Sequence, residues 1–393
     1  LKDLKKLGIY VHWPFCTSLC PYCDFNSYVN ESIDISVWNN AYLSELSYFI
    51  SRIDKQKYQV KSVFFVGGTP SLMPTSIVEN IIDHVRSNLK TSDELEVTLE
   101  SNPTSVEMSK MKSFKSAGVN RISLGVQSLR DNHLKFLGRS HGSNDAISSI
   151  SMIANLFDRY SIDLMYGYSD QTTSEWEVDL NRSMSLINDH ISIYNLTIEK
   201  GTPFYIANQE KTLILPNENI IEEMYDLTFD ILKDHNIVRY EVSNYSKDDK
   251  SRCIHNMLYW QVEDYIGIGP GAHGRIFFDN LRMQTMTHHN PKKWLAHVNI
   301  HKHGLQKNVC ITIYEQIQEI LLMCLRVNDG IDIQDILSRL HIDLNFLFQI
   351  IHELNLVQIG TLQLTSDKII PTESGIDMVN KISQMIFDRI GNI

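Results

Sequence analysis

Six short runs rich in β-branched and aromatic residues, each followed by a stretch of helical period, constrain this chain more than any other feature. The runs occupy residues 8–12, 61–66, 94–99, 120–126, 161–166 and 190–196. Between the first two, Trp38, Tyr42, Leu46, Phe49 and Ile53 fall on one side of a helix. Residues 74–90 follow the second run, with Ile77, Ile81, Ile82 and Val85 as an apolar stripe. Residues 104–117 follow the third, opened by a Thr at the N-cap position and closed by Gly118 at C′. Helical stretches at 144–160 and 174–188 fill the next two gaps. Such alternation requires parallel strands joined by right-handed crossovers, in either an open doubly wound sheet or a full or partial barrel. A barrel gathers polar residues at the C-terminal ends of successive strands. Gly67-Gly68-Thr69, Glu100 and Gln127 stand at those ends, which favours an α/β fold built on a partial (β/α)6 barrel.

Past Leu196 the pattern loosens. Residues 197–300 hold turns, one helix at 220–234 and the glycine-rich stretch Gly267-Ile-Gly-Pro-Gly-Ala-His-Gly274. From about His301 helices are expected at 313–326, 333–340 and 344–354, then a hairpin at 357–370 and a last helix from Thr372. That is the order of a winged-helix-like module. The expected organisation is a core over 1–235, a connecting region over 236–300 and a mainly helical module over 301–393.

Charge narrows the function classes. The chain carries 36 Lys+Arg against 47 Asp+Glu, a net charge of −11, and its last 93 residues hold 7 basic and 11 acidic side chains. Neither part presents the cationic excess that displaces counterions from nucleic-acid phosphates. No run approaches the ~18 apolar residues of a membrane helix, and the charged stretch 1–8 is no secretory signal. The expectation is a cytoplasmic protein that does not insert into membranes by itself.

Of six cysteines, three lie in Cys16-Thr-Ser-Leu-Cys20-Pro-Tyr-Cys23 directly after the first strand, and Cys253, Cys310 and Cys324 are scattered. Clustered thiols in a reducing compartment read as metal ligands. Three thiolates on one tight loop can hold three corners of a 4Fe–4S cluster and leave the fourth iron open. A structural zinc site needs a fourth Cys or His at short spacing, and none follows Cys23 closely. Cys310 and Cys324 read as small hydrophobes in helical surroundings.

With this loop and its place after the first strand, the chain resembles the radical S-adenosylmethionine (SAM) family. The resemblance implies that the open iron chelates the amino and carboxylate groups of SAM, and that an electron from the cluster cleaves the sulfonium to a 5′-deoxyadenosyl radical. It also implies that Gly67, Gly68 and Thr69 meet the methionine amine, where a Cβ would block the approach. By the same likeness Glu100 accepts from the ribose hydroxyls, Gln127, Arg139 and Asp163 contact SAM, and Tyr10 and Tyr22 border the ligand.

Tyr10-Val-His-Trp-Pro-Phe-Cys16, Gly67-Gly-Thr-Pro-Ser71, Leu124-Gly-Val-Gln-Ser128 and Ile162-Asp-Leu-Met-Tyr-Gly167 narrow the likeness to one branch. It is the group of oxygen-independent coproporphyrinogen III oxidases and their heme-chaperone relatives. The oxidases have a further cysteine where this chain has Phe25, and a long N-terminal extension, whereas here the cluster motif begins at residue 16. His255-Asn256-Met-Leu-Tyr259-Trp260 matches the H-N-x-x-Y-W motif that the chaperones associate with heme. A His can offer an axial nitrogen to iron, and Tyr and Trp offer flat apolar surface. The resemblance therefore implies a 4Fe–4S cluster, SAM and heme as cofactors. The partners it implies are apo-hemoproteins such as respiratory-chain components, and an electron donor if the cluster is reduced. The alternative is an oxidase that decarboxylates two propionates to vinyl groups. Enzymatic turnover itself is left open.

Overall fold

The computed structural model of the protein describes residues 4–29 and 32–391, so that residues 1–3 of the charged leading stretch lie outside it. Six strands run parallel in chain order: β1 (Lys5–Trp13), β2 (Tyr58–Gly67), β3 (Thr91–Ser101), β4 (Arg121–Gln127), β5 (Arg159–Tyr166) and β6 (His190–Asn195). They contain the expected runs, each within a few residues.

Period-two alternation divides their side chains between two faces. Ile9, Val11, Val63, Phe65, Leu99, Leu124 and Ile162 pack outward against Ile35–Arg52, Thr75–Asn88 and Ser143–Leu156 in one continuous core. Each such burial stabilises the fold by about 1.5–3 kcal/mol. The alternate positions Glu100, Ser123, Asp163 and Tyr194 turn inward and line a cavity. Register aligns them: Glu100 lies opposite Ser123, and Asp163 opposite Ser192.

The sheet extends beyond these six strands at both edges. The added strands are β7 (Val238–Arg239), β8 (Asn244–Ser246), β9 (Asp264–Ile268), β10 (His273–Phe278), β11 (Leu281–Thr287) and β12 (Leu305–Cys310). The full order is β12-β11-β10-β9-β1-β2-β3-β4-β5-β6-β8-β7, with open ends, so the barrel is partial. β9 pairs parallel to β1, and β10 to β12 form an antiparallel meander beside it. Asp279 and Asn280 join β10 to β11 with φ of 50° and 66°, the left-handed pair that a tight hairpin demands. The expected single helix at 104–117 is two, Ser105–Met108 and Met111–Ser116. Gly118 ends the second as anticipated, with φ of 103° and the Val119 N–H reaching back to the Phe114 carbonyl at 3.1 Å.

The C-terminal module has its own core, including Ile320, Leu321, Ile336, Leu347, Ile350, Ile369 and Ile382. Helices Ile313–Cys324, Ile333–Leu340 and Phe346–Glu353 are followed by the hairpin Leu362–Leu364 and Lys368–Pro371, whose second strand also pairs with Ile331–Asp332 from between the first two helices. This is the winged-helix-like order. Val379–Ile390 closes it. Cys324 is buried here as a small hydrophobe, whereas Cys310 sits exposed on edge strand β12 and not in a helix.

Candidate functional site

Past β1 the chain makes one short step of parallel pairing, Phe15 with Tyr28 and Cys16 with Val29, and between these residues loops the cysteine segment. The Cys23 N–H closes a turn on the Cys20 carbonyl at 3.2 Å. The three thiols line a cavity of about 350 Å³ together with Tyr22, Gly67, Gly68, Thr69, Glu100, Gln127, Arg139 and Asp163. Eleven of the twelve positions that the family resemblance points to around the cluster and SAM are thus in one place, at the C-terminal ends of successive strands. The twelfth, Tyr10, is one layer deeper.

Each member is held by local structure. Gly67 has φ of 121°, and a Cβ there would stand 2.6 Å from the His12 ring. At Gly68 a Cβ would meet the Phe15 carbonyl oxygen at 2.9 Å and the Cys16 Sγ at 3.0 Å, so only glycine lets this loop lie against the thiol. The Thr69 N–H donates to the Phe15 carbonyl at 2.9 Å and its hydroxyl to the Cys16 Sγ at 3.4 Å. Arg139 donates to the Cys20 Sγ at 3.4 Å, the Tyr22 hydroxyl at 3.3 Å, the Gly125 carbonyl at 2.9 Å and the Asn102 side-chain oxygen. Its Nε is buried without a partner. Tyr10 donates to His12 Nδ1 at 2.9 Å, because His12 Nε2 faces the Asn26 carbonyl at 2.9 Å and must carry the ring proton. Burial lowers His12 to about 4 and keeps it neutral. Asn26 in turn donates to the Pro270 and His289 carbonyls, both at 2.9 Å, tying the cysteine loop to the glycine-rich stretch.

The electrostatics favour neutral groups while the cavity holds only protein. Burial raises the Cys16 thiol and pushes Cys23 up to about 11. Burial and the neighbouring Asp163 raise Glu100 to about 8; burial raises Asp163 to about 6 against hydrogen bonds from Ser192 and Ser123 and the charge of Arg121. Two carboxyls, three thiols and an arginine with a free Nε face one space. Among the described residues no three His, Cys, Asp or Glu side chains converge on a point that would hold a single ion. A cubane binds its cysteines through different irons, so thiols ringing an open space suit it. The residues present fit both the cluster and SAM.

Sequence reasoning missed Asn102, Glu107 and Tyr194. Glu107, buried, accepts from the Asn102 N–H at 2.7 Å, the Ser101 hydroxyl at 3.3 Å and the Ser71 hydroxyl, fastening the loops after β2 and β3. Its place three residues after Thr104, as in a capping box, was the available signal.

The H-N-x-x-Y-W residues lie elsewhere. They form helix Ile254–Trp260, which packs on β1 and β2 beside Gly8 and Ser62, near the N-terminal parts of those strands and away from the thiols. The Ile254 and His255 N–H groups donate to the Glu96 carboxylate at 3.2 and 3.1 Å, and Arg159 donates to the same carboxylate at 2.8 Å. A carboxylate at a helix N-terminus is favourable. His255 is 0% exposed, and its ring bonds Ser62 at 2.7 Å and Tyr259 at 2.8 Å. Burial lowers it to about 3. In this conformation both its nitrogens are engaged and neither reaches solvent. Asn256, Tyr259 and Trp260 are half-buried. Cys253 is buried with its Sγ 3.6 Å from Glu96. No helix among the described residues is long and apolar enough to cross a membrane.

A cysteine loop over a glycine-bordered cavity at the strand ends of a partial barrel defines a class, and the family model of the radical SAM superfamily matches residues 10–182. Within that class the chain belongs to the family of the heme chaperone HemW. It is 36% identical to HemW of Escherichia coli over 290 residues, 72% of this chain and 74% of that protein. It is also 36% identical to mouse radical S-adenosyl methionine domain-containing protein 1, mitochondrial, over 83% of this chain and 74% of the relative. Among solved structures, the coproporphyrinogen III oxidase HemN of Escherichia coli superimposes with a TM-score of 0.79 over 98% of this chain and 90% of that one. At 19% identity this likeness shows the fold.

Proposed function

We propose that this protein is a heme chaperone that carries a 4Fe–4S cluster and SAM in the barrel and hands heme to apo-hemoproteins such as respiratory-chain components. The observation that supports it most is the 36% identity to HemW over nearly three quarters of both chains. In this reading Cys16, Cys20 and Cys23 hold the cluster. The Gly67–Thr69 main chain receives the methionine amine, and Glu100 with Gln127, Arg139 and Asp163 orients the nucleoside. Tyr22 borders the ligand and Tyr10 steadies His12 beneath it. When bound, the cluster supplies an electron to the SAM sulfonium, from a donor that is a further partner. Phe25, 56% exposed at the cavity wall, stands where the oxidases place another cysteine and adds no thiol. Heme contacts the segment His255, Asn256, Tyr259 and Trp260. Because His255 is sealed, ligation through its nitrogen requires the helix to lift, whereas Trp260 is reached without that movement. The proposed place of work is the cytoplasm, where thiols stay reduced.

An anaerobic assay of the cluster-loaded protein with coproporphyrinogen III and SAM, run beside a heme titration, decides between chaperone and oxidase. Saturable heme binding with no protoporphyrinogen is the expected result. Protoporphyrinogen formation would establish the oxidase instead.

A further inference from the structure

Trp260 ends the motif helix with its indole Nε1 buried and without a hydrogen-bond partner. Over its ring, 5.8 Å from the centroid, lies the guanidinium of Arg326 from the C-terminal module. The Nε of Arg326 is likewise buried and unpartnered, although its Nη2 donates to the Asn380 side chain at 2.8 Å. Two adjacent buried donors, one of them charged, lack an acceptor. Native proteins seldom leave such groups unsatisfied, and a missing anion or water is the usual reason.

Arg326 borders a cleft of about 250 Å³ between barrel and module, which Tyr225, Arg239, Val242, Asp377 and Asn380 also line. The other charges there are committed. Arg239 donates to Asp377 at 2.8 Å, to Tyr225 and to the Glu373 carbonyl at 3.2 Å. Glu241, buried nearby, accepts from Asn244 and from the Ser243 N–H at 3.3 Å. Among the described residues lining this cleft, Arg326 is the cation with no carboxylate in hydrogen-bond contact. The planar fork of a guanidinium matches the two oxygens of a carboxylate. The cleft is smaller than the ~300–1,000 Å³ of sites that engulf a drug-sized ligand, so it takes an arm of a larger molecule. Val242, 36% exposed, and the side chains of Ile376 and Val379 give the cleft an apolar side.

We propose that this cleft is a carboxylate subsite in which Arg326, stacked on Trp260, receives one propionate of heme while the macrocycle lies against the apolar side. This rests on the chaperone reading and assigns to it a charge-recognition residue outside the H-N-x-x-Y-W motif. The test uses the cluster-loaded protein under anaerobic equilibrium dialysis, with heme and heme dimethyl ester as probes. Wild type should bind heme at least tenfold more tightly than the ester. Arg326→Gln should lose that preference by weakening heme alone, and Arg326→Lys should restore part of it. Trp260→Phe, which keeps the ring and removes the indole N–H, should weaken heme severalfold. Heme binding in wild type that is unchanged in Arg326→Gln and equal for the ester overturns the subsite and leaves the chaperone reading intact. No heme binding by wild type overturns both.

Discussion

At Gly68 the spacing of a single methyl group decides whether the cysteine loop can close. A Cβ would press on the Phe15 carbonyl at 2.9 Å, and that backbone cannot swing aside as a side-chain tip could. Gly68→Ala is therefore expected to reduce bound iron and sulfide severalfold while far-ultraviolet circular dichroism stays native; full cluster content in the variant would contradict this. Glu100 behaves differently because its environment, more than its shape, is unusual. Its folded value of about 8 stands above the ordinary 4.5, so the folded state binds its proton more tightly. The resulting stability is fully present below about pH 4.5 and is withdrawn as pH rises toward 8. Asp163, raised from 3.8 to about 6, acts in the same sense over a lower window. Melting temperature without SAM should fall from pH 5 to 8, and Glu100→Gln should flatten the decline. The residues of this site were legible because their motifs keep short, fixed spacings after strand ends. His255 was legible as a motif member but not as a buried group, since burial there depends on β1 and β2, far away in sequence. The close packing of Gly8, where a Cβ would lie 3.3 Å from the His255 ring, shows how little room remains.

Among the elements, the six parallel strands were readable because each combines an apolar outer face with a following amphipathic helix. The strands that extend β1 were not. Asp264–Ile268 is short and interrupted by Gly267, which is required because a Cβ would collide with the His273 carbonyl oxygen at 1.9 Å. The hairpin after it carried a usable signal in Asp279-Asn280 between alternating runs. The helix Ile254–Trp260 packs where no pattern announced it, and its anchoring is specific. His255→Ala removes two buried hydrogen bonds and leaves Ser62 and Tyr259 facing a small void. The expected loss is about 2–4 kcal/mol by chemical denaturation. A heme defect in that variant therefore says nothing about iron ligation unless its stability is measured alongside.

On the scale of the whole molecule, two cores meet at a seam where Val262 and Phe277 pack against the C-terminal core beside a set of polar contacts. Arg339 of the C-terminal module donates to Glu263 at 3.1 Å, to the Gln261 carbonyl at 3.0 Å and to Asp335. Glu263 is largely buried and also pairs with Lys6 at 3.3 Å. Arg339→Ala removes one of its two cations and should cost about 2 kcal/mol. The unfolding curve is expected to keep its midpoint shift at high salt, unlike that of an exposed pair; a shift abolished by salt would place the contact in solvent.

The cavity at the strand ends is lined by Leu19 and Phe25 among others, and both of these side chains stand more than half exposed at its edge. Under the proposed reading, SAM and an electron donor would approach the thiols past these two apolar side chains, a stretch of surface apart from the motif helix where heme would rest.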